Sequence, residues 1–472
     1  MRSNIKKNYA YNAVLQLSNI FVPVITLPYI SRILGAAGLG RYSFAYSVAY
    51  YFSIFIKLGL QNYGNRTIAY VKDDKDKLSR TFWEIYSFQF VLGIFISGAY
   101  FIYTLFFSSV KILAMIMSVV IFAAMLDVTW FMYGMEEFKV TAVRDIVTKV
   151  VTTILIFTLV KTDNDTWKYA LIFVAGLLCN QLVVWPLVCK HVSFKRVAWN
   201  DISKHIKPNL ILFIPVIAVS VYRTMDKIML GAMTVEQELG YYHSCENVIR
   251  VPLALINALG IVMLPRMANM IALGEDDDSI TRTFSKSIEF GMFITTAVGM
   301  GIMTVAVEFV PIFYGAGFEK CIWLFYIIIP SCLFTAFANV IRTQYLIPRK
   351  MDKIYIISLI AGAVINLLAN LLLIPYFASA GAAIGTLAAE IVVCVVQAAC
   401  VFKEADIRRN IINSLPFIFA GIVMFVVFYD YVPPINNSII ALLAKIVISG
   451  LLYLAVLGGI IIIKRTLVKK NT

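Results

Sequence analysis

Five charged side chains interrupt two long apolar stretches near the middle of the chain. Arg223, Asp226 and Lys227 stand at i, i+3 and i+4, so a helix would carry all three on one face. Glu246 and Arg250 are four residues apart and would likewise share a face. Because arginine presents a planar fork of donors, it suits phosphate oxygens. The pattern is typical of an anion site, and equally of a self-compensating salt-bridge network that ties two helices together.

These charges fall at matching depths if both stretches are membrane helices. Arg223 and Arg250 then lie roughly 14 to 15 Å below the outer ends of their helices, from the rise per residue. Asp226 and Glu246 each lie roughly 9 Å deep on the same scale. A charge at mid-bilayer costs roughly 3 kcal/mol on the insertion scale, so such residues usually face a cavity or a partner. The positive surplus favours the anion site, since a purely structural network needs no excess of cations.

A further acidic residue is a candidate for ion coupling, together with Asp226 and Glu246. Glu390 falls near the middle of an apolar stretch, with no acid or base close in sequence. It could cycle a proton, or it could pair with a lysine from another helix, such as Lys149. Other charges inside apolar stretches are Lys57, Asp127, Glu308 and Lys445. The first two lie near predicted cytoplasmic helix ends, where a side chain can extend to the interface.

The composition places most of the chain in lipid. Of 472 residues, 60% are hydrophobic and only 14% are charged, whereas soluble domains carry about 25% charged residues. A water-soluble protein so apolar would lack a polar surface, so lipid must be its main solvent. In a membrane protein, the net charge of +14 is interpreted first through the positions of Lys and Arg, which indicate how the spans are oriented. Nucleic acid is therefore not expected as a partner. The seven cysteines and three histidines lack metal-ligand spacing, so we expect no metal and no cofactor.

The apolar segments predict an all-α polytopic membrane protein with about fourteen transmembrane helices. We place these helices near 10–33, 41–63, 82–107, 110–133, 140–160, 167–189, 208–232, 240–264, 286–310, 321–346, 354–375, 379–402, 411–431 and 438–463. The short breaks leave no room for a nucleotide-binding domain, and no GxxxxGK[ST] motif occurs, so ATP hydrolysis is not expected. Most Lys and Arg fall in alternate breaks and at both ends, which predicts cytoplasmic termini.

A weak internal repeat indicates how the helices are grouped. The stretch LGRY at 39–42 corresponds to LGYY at 239–242, and both join an odd-numbered span to the next one. The repeat is therefore parallel, as in transporters built from two like bundles around a central cavity. It predicts an N-terminal six-helix bundle at 1–207, a C-terminal six-helix bundle at 208–410, and an extra helix pair with a basic cytoplasmic tail at 411–472.

Several motifs resemble those of one known family. ISRILGAAGLGRY, KLGLQNYGNRTIAY and DVTWFMYGMEEFKVTAVRDIVTKV are similar to the opening of the Wzx-type polysaccharide flippases, within the multidrug/oligosaccharidyl-lipid/polysaccharide exporter superfamily. YRTMDKIMLG, VMLPRMAN, TQYLIPRKMDKIY, INLLANLLLIP and GAAIGTLAAE extend the similarity, in order, over essentially the whole chain. The resemblance implies two pseudo-symmetric six-helix bundles plus two added helices. It also implies a cationic cavity that opens alternately to each side.

The resemblance also implies a passenger and a set of site residues. By position, Arg32, Arg41 and Arg250 could match arginines that surround the cavity in related flippases, with Arg223 and Lys227 added from the seventh helix. The implied passenger is an undecaprenyl-pyrophosphate-linked oligosaccharide repeat unit, moved from the cytoplasmic to the outer leaflet of the bacterial inner membrane. It would feed the synthesis of capsule, O-antigen or a related polymer. Membrane lipid and polysaccharide polymerase machinery are the other expected partners.

We therefore expect a transporter rather than an enzyme, with three alternatives. A multidrug exporter of the same superfamily would usually carry organic cations, which favour an acidic cavity. A membrane glycan polymerase or ligase would act on the same lipid carrier, but such enzymes tend to have a large external loop. The predicted breaks in this chain are all short. The third alternative is a scaffold for a glycan assembly complex.

Overall fold

The protein is almost entirely helical. The computed structural model describes the backbone of residues 2–471, and the side chains of residue 18 and of residues 22–463 apart from 222. Within this described backbone there are sixteen α-helices and no β-strand, which confirms the predicted all-α polytopic class. The chain forms two compact units, Met1–Gly240 and Tyr241–Thr472. The three-part division at 207 and 410 stays a prediction.

Nine helices lie wholly within the described part of the first unit. They are α1 (Arg2–Lys57), α2 (Leu60–Val71), α3 (Lys75–Phe106), α4 (Lys111–Met125), α5 (Thr129–Gly134), α6 (Phe138–Leu159), α7 (Thr166–His191), α8 (Trp199–Ser203) and α9 (Ile206–Met233). Asp74 caps α3, because its carboxylate accepts hydrogen bonds from the backbone N–H groups of Lys77 and Asp76. These bonds, above all the one from Lys77, lower the pKa of Asp74.

The helix α10 (Glu236–Ala272) begins in the first unit and continues into the second. The helices that follow are α11 (Asp277–Tyr314), α12 (Lys320–Ile341), α13 (Asp352–Phe377), α14 (Ser379–Cys400), α15 (Ile407–Phe428) and α16 (Ser438–Asn471). A π-helical turn, Arg342–Leu346, extends α12, and the N–H of Ile347 donates to the carbonyl of Arg342 at 3.0 Å. Just beyond it, the Arg349 guanidinium stacks on the Tyr345 ring, 3.8 Å from its centroid.

The described residues contain twelve segments long and apolar enough to cross a membrane. Two local features explain why this number is smaller than the predicted fourteen spans. The first two predicted spans share α1, which is broken only at Gly35, where φ is 62° and a residue with a side chain would be strained. The helix α6 has 22 residues, which is long enough to cross a membrane. It carries Arg144, Asp145 and Lys149, and these charges make its composition too polar for it to be among the twelve segments.

Each unit has an apolar core of its own. In the first unit, one core joins α1, α4 and α7 through residues such as Tyr42 and Met117, and a second surrounds Phe82. In the second unit, the main core joins α11 and α12 through Phe284 and Ile341. Many large apolar side chains on the same helices are nevertheless exposed. Because the helices are spans, this exposed apolar surface is the part that lipid covers.

A buried glutamine binds the backbone carbonyls at the break between α4 and α5. The side-chain amide of Gln89 donates to the carbonyls of Ala124 at 2.8 Å and Asp127 at 3.0 Å. Its carbonyl oxygen accepts from the indole N–H of Trp130 at 3.0 Å. A helix interruption inside the membrane leaves carbonyls without intrahelical donors, and no water is present to satisfy them. The Gln89 side chain of α3 therefore satisfies these carbonyls and stabilises the helix interruption.

Two glycines bring α1 and the start of α10 into backbone contact. A methyl group at Gly40 would lie 1.8 Å from the carbonyl oxygen of Glu236, and one at Gly240 would lie 1.9 Å from that of Ala36. Such small-residue contacts are a common way for membrane helices to pack closely. The two glycines occupy equivalent positions in the sequence repeat, LGRY and LGYY. No other residue type fits at either position without moving a helix.

Replacing Gly40 with alanine should therefore destabilise the protein. We expect a loss of about 1–3 kcal/mol from overpacking against the α10 backbone, seen as a lower apparent melting temperature of the purified protein. Gly98→Ala in α3 is the matched control, because nothing lies within 4 Å of the added methyl group. The control should be neutral or slightly stabilising. Equal melting temperatures for Gly40→Ala and Gly98→Ala would contradict the close contact.

Candidate functional site

On α9, the three charged candidates differ in their access to solvent. Arg223 is exposed, whereas Asp226 and Lys227 are buried, with exposed fractions of 3% and 9%. A buried carboxylate and a buried ammonium must be compensated inside the protein, because neither can be desolvated alone without a large cost. Among the three, Arg223 therefore has the most exposed side chain.

On α10, Arg250 and Glu246 form an ion pair along one helical face. Nη2 of Arg250 lies 2.9 Å from Oε1 of Glu246. The Arg250 side chain is 55% exposed and the Glu246 side chain only 18%, so a fixed carboxylate holds an accessible guanidinium. Because the Glu246 carboxylate is mostly buried, it needs the arginine as its partner, while the exposed part of the guanidinium group can meet a second anion.

The two α1 arginines have different surroundings. Arg32 is exposed, and its guanidinium donates to the carbonyl of Pro28 at 3.0 Å, one turn earlier. Arg41 donates to Oε2 of Glu236 at 3.0 Å, and both side chains are partly exposed. Glu236 was not among the sequence candidates, since it lies 195 positions from its partner. Arg41 thus resembles Arg250 in being an accessible cation held by one carboxylate.

Glu390 is half-buried near the middle of α14. Within the described side chains, its carboxyl group makes no hydrogen bond and no ion pair. An intramembrane carboxyl group of this kind is a candidate for proton uptake and release. Over the same described residues, no group of three or more His, Cys, Asp or Glu side chains is arranged to hold a metal ion.

Two other intramembrane lysines are held in ion pairs. Nζ of Lys445 lies 2.7 Å from Oε1 of Glu308, and the Lys445 side chain is completely buried. Nζ of Lys57 lies 2.5 Å from Oδ2 of Asp127. Lys57 and Asp127, which we expected to extend to the interface, thus meet each other, and the Lys57 side chain remains 44% exposed. The dry Lys445–Glu308 pair has a structural role in joining α16 to α11.

A polar cluster on α6 was not recognised as a unit from the sequence. Arg144 donates to the carbonyl of Asn180 at 2.7 Å and to the hydroxyl of Thr129 at 3.0 Å, and it lies 3.3 Å from Asp145. Lys149 donates to the hydroxyl of Ser18 at 3.1 Å. In the sequence, this cluster is visible as several charged residues within one predicted span, and these residues lower the mean hydropathy of α6.

A second cluster surrounds the buried His205 in the first unit. Its Nε2 lies 3.0 Å from Glu84 and its Nδ1 lies 2.6 Å from the hydroxyl of Tyr63. Glu84 also binds Arg80 at 3.0 Å, and Arg80 reaches Asp201 at 2.9 Å. These contacts join α2 and α3 to the segment that leads into α9. The sequence indicated only that this histidine lacks metal-ligand spacing.

The helical fold and the charges carried within its spans define a polytopic membrane protein. Residues 5–271, more than half of the chain, match the model of the family described as "Polysaccharide biosynthesis protein". The chain therefore belongs to that family. The match also confirms the resemblance to the Wzx-type flippases of the multidrug/oligosaccharidyl-lipid/polysaccharide exporter superfamily.

Two relatives match most of the chain. A protein of Escherichia coli (strain K12) named "Putative O-antigen transporter" is 25% identical over 83% of this chain and 95% of its own length. A protein of Shigella dysenteriae with the same name is 20% identical over 82% of this chain and 98% of its own length. Each alignment spans nearly the whole relative, so the similarity is not confined to one motif.

Two solved structures share the fold. The Lipid II flippase MurJ in an inward closed conformation superposes with a TM-score of 0.76 at 13% identity, covering 98% of this chain and 99% of MurJ. An inward-facing multidrug resistance MATE family transporter of the MOP superfamily gives a TM-score of 0.60 at 13% identity, covering 84% and 99%. At such low identity, these likenesses concern the fold.

Lys445→Met should strongly destabilise the protein, because it leaves the Glu308 carboxylate buried without its partner. Breaking a buried pair costs about 3–5 kcal/mol, so the apparent melting temperature should fall clearly. The double variant Lys445→Met/Glu308→Gln should recover most of the loss. Lys72→Met is the comparison, since its partner Glu136 has a side chain that is 65% exposed and water can stabilise the remaining carboxylate. An unchanged melting temperature for Lys445→Met would refute a structural role.

Proposed function

We propose that this protein is a flippase for a lipid-linked oligosaccharide. The observation that carries the proposal is the match, over nearly their whole length, to two relatives named as O-antigen transporters. The fold likeness to a Lipid II flippase supports it, because that protein also handles a lipid-linked glycan. In this chain the passenger is an undecaprenyl-pyrophosphate-linked repeat unit. It moves from the cytoplasmic to the outer leaflet, for synthesis of an O-antigen-type or capsular polysaccharide.

The accessible arginines give the pyrophosphate a means of binding. Arg41 and Arg250 each hold a carboxylate in the structure described, and both guanidinium groups remain partly exposed. A guanidinium group has five N–H donors, so a pyrophosphate can bind the exposed donors while Glu236 or Glu246 keeps its own hydrogen bond. Arg32 and Arg223 are exposed and add cationic groups on α1 and α9. Lys227, one helical turn from Arg223, is buried and adds positive charge to the same part of α9.

Alternating access is the proposed mechanism. In this proposal the chain works as two six-helix bundles, one at 1–207 and one at 208–410, and the cationic side chains contribute to a cavity that binds the passenger. The cavity opens to one side of the membrane and then to the other, while the lipid tail stays in the bilayer. Asp226, Glu246 and Glu390 are the candidates for coupling this cycle to an ion, and of these Glu390 is the carboxyl group best suited to exchange a proton.

A multidrug exporter is the second candidate, since a MATE transporter shares the fold. Organic cations would favour an acidic cavity. The exposed candidates on α1, α9 and α10 are instead arginines, and the net charge of the chain is +14. A glycan polymerase or ligase is a weaker candidate, because the relatives are named as transporters. A dye-efflux assay separates the two transporter functions.

Replacing Arg250 or Arg223 with glutamine should lower flipping without loss of folded protein. A charged hydrogen bond contributes about 1.5–3 kcal/mol, which corresponds to roughly a tenfold loss or more. The readouts are complementation of polymer export, and transfer of a labelled lipid-linked glycan in liposomes. Arg282→Gln is the matched control, because Arg282 is an exposed arginine of α11 outside the proposed site. Unchanged flipping in both variants would rule out these arginines as the binding site.

The topology can be tested independently of transport. We propose a multi-pass protein of the bacterial cytoplasmic membrane with both termini inside, because basic residues concentrate in alternate connections. A green fluorescent protein fused after Thr472 should fluoresce, and alkaline phosphatase fused there should be inactive. Phosphatase inserted after Lys161, between α6 and α7, should be active. Phosphatase activity at the C-terminal fusion would refute the proposed orientation.

A further inference from the structure

An aromatic groove with two basic residues in one wall lies on the first unit. It has a volume of about 520 Å³ and runs between α3 and residues 192–198, which connect α7 to α8. Trp83, Tyr86 and Phe90 form the α3 wall, and Phe194, Lys195 and Arg196 come from the connection. The groove is separate from the arginines of the proposed transport site, and the proposed function makes no use of it.

The connection is held firmly against α3, so the groove is formed in advance. The indole N–H of Trp83 donates to the carbonyl of Ser193 at 3.0 Å, and the N–H of Ser193 donates to the Ser79 hydroxyl at 3.1 Å. The rings of Trp83 and Phe194 meet edge to face, with centroids 5.0 Å apart. Lys195 binds Asp76 at 3.0 Å, at the first turn of α3. A ligand therefore meets little ordering cost on entry.

The apolar side of the groove leads into the membrane. Phe90 is exposed, and beyond it on the same helix Ile94 and Phe95 are 54% and 71% exposed. All three lie inside the candidate span Lys75–Phe106. An acyl chain that starts in the groove can therefore continue along α3 without meeting water. A soluble ligand would gain nothing from this part of the surface.

The wall formed by the connection has the composition of a membrane interface. Phe194 in the groove and Trp199, just after the connection, are exposed, as is usual for aromatic residues at the level of lipid headgroups. Arg196 is exposed and has no ion pair with any residue that the structure describes. Lys195 is next to it and pairs, among the described side chains, with one carboxylate, that of the highly exposed Asp76. Two adjacent cations at this level attract an anionic headgroup.

We propose that this groove binds one anionic diacyl phospholipid of the surrounding leaflet. The phosphate is bound by Arg196 and Lys195, and one acyl chain lies along Tyr86, Phe90 and Ile94. Because α3 and the 192–198 connection form the two walls, a bound lipid would clamp them together. The protein would then be most stable in membranes rich in acidic lipid.

The test is native mass spectrometry of the intact purified chain with phosphatidylglycerol or phosphatidylcholine of identical acyl chains. The wild-type protein should retain more phosphatidylglycerol. Arg196→Gln should reduce that retention about fivefold, as expected for one basic residue at an anionic surface, and leave phosphatidylcholine unchanged. Arg66→Gln is the matched control, since Arg66 is an exposed arginine of α2 outside the groove. Circular dichroism establishes that all variants are folded.

A second variant tests the apolar wall. Phe90→Ser should lower retention of both lipids, because the acyl chain loses its contact whatever the headgroup. Equal retention of the two lipids by the wild-type protein would overturn the proposal. So would an Arg66→Gln effect as large as that of Arg196→Gln. Preferential retention of undecaprenyl pyrophosphate over phosphatidylglycerol, abolished by Arg196→Gln, would assign the groove to an isoprenoid carrier and would also overturn it.

Discussion

Hydrocarbon contains no water, so each polar group placed in a span must find its partner inside the protein. Charged side chains meet this requirement by forming ion pairs, as in Lys445–Glu308 and Lys57–Asp127. Gln89 shows the same for backbone carbonyls at a helix break. Against this background, an intramembrane charge that stays exposed stands out. Arg223 and Arg250 remain accessible although the surrounding structure pairs charges elsewhere, and this distinction separates candidate function from structural support.

Most of the fold could be predicted from the sequence, because a span leaves a signal in roughly twenty consecutive residues. The all-α class was predicted in this way, and so were most helix positions. The same signal predicted α6, although Arg144, Asp145 and Lys149 reduce its hydropathy. The structure adds that α1 continues through two predicted spans, because a single residue, Gly35, supplies the whole change of direction.

Charge partners could not be predicted in the same way. Arg41 and Glu236 are 195 positions apart, and Lys445 and Glu308 are 137 apart. One sequence contains no record of which distant residues meet, whereas an i,i+4 pair such as Glu246 and Arg250 follows directly from helical geometry. The sequence therefore suggested which residues carry intramembrane charge. It did not separate the dry pair of Lys445 from the accessible pairs of Arg41 and Arg250.

The π-helical turn at Arg342–Leu346 has a consequence for how this chain tolerates changes of length. A turn of this kind accommodates one residue more than a regular helix does. Deleting one residue there would therefore restore regular α-helical hydrogen bonding and leave the residues on either side close to their present orientation. A deletion elsewhere in α12 would instead rotate everything beyond it by about 100°. We therefore expect related sequences to accept the loss of one residue in this stretch more readily than elsewhere in α12.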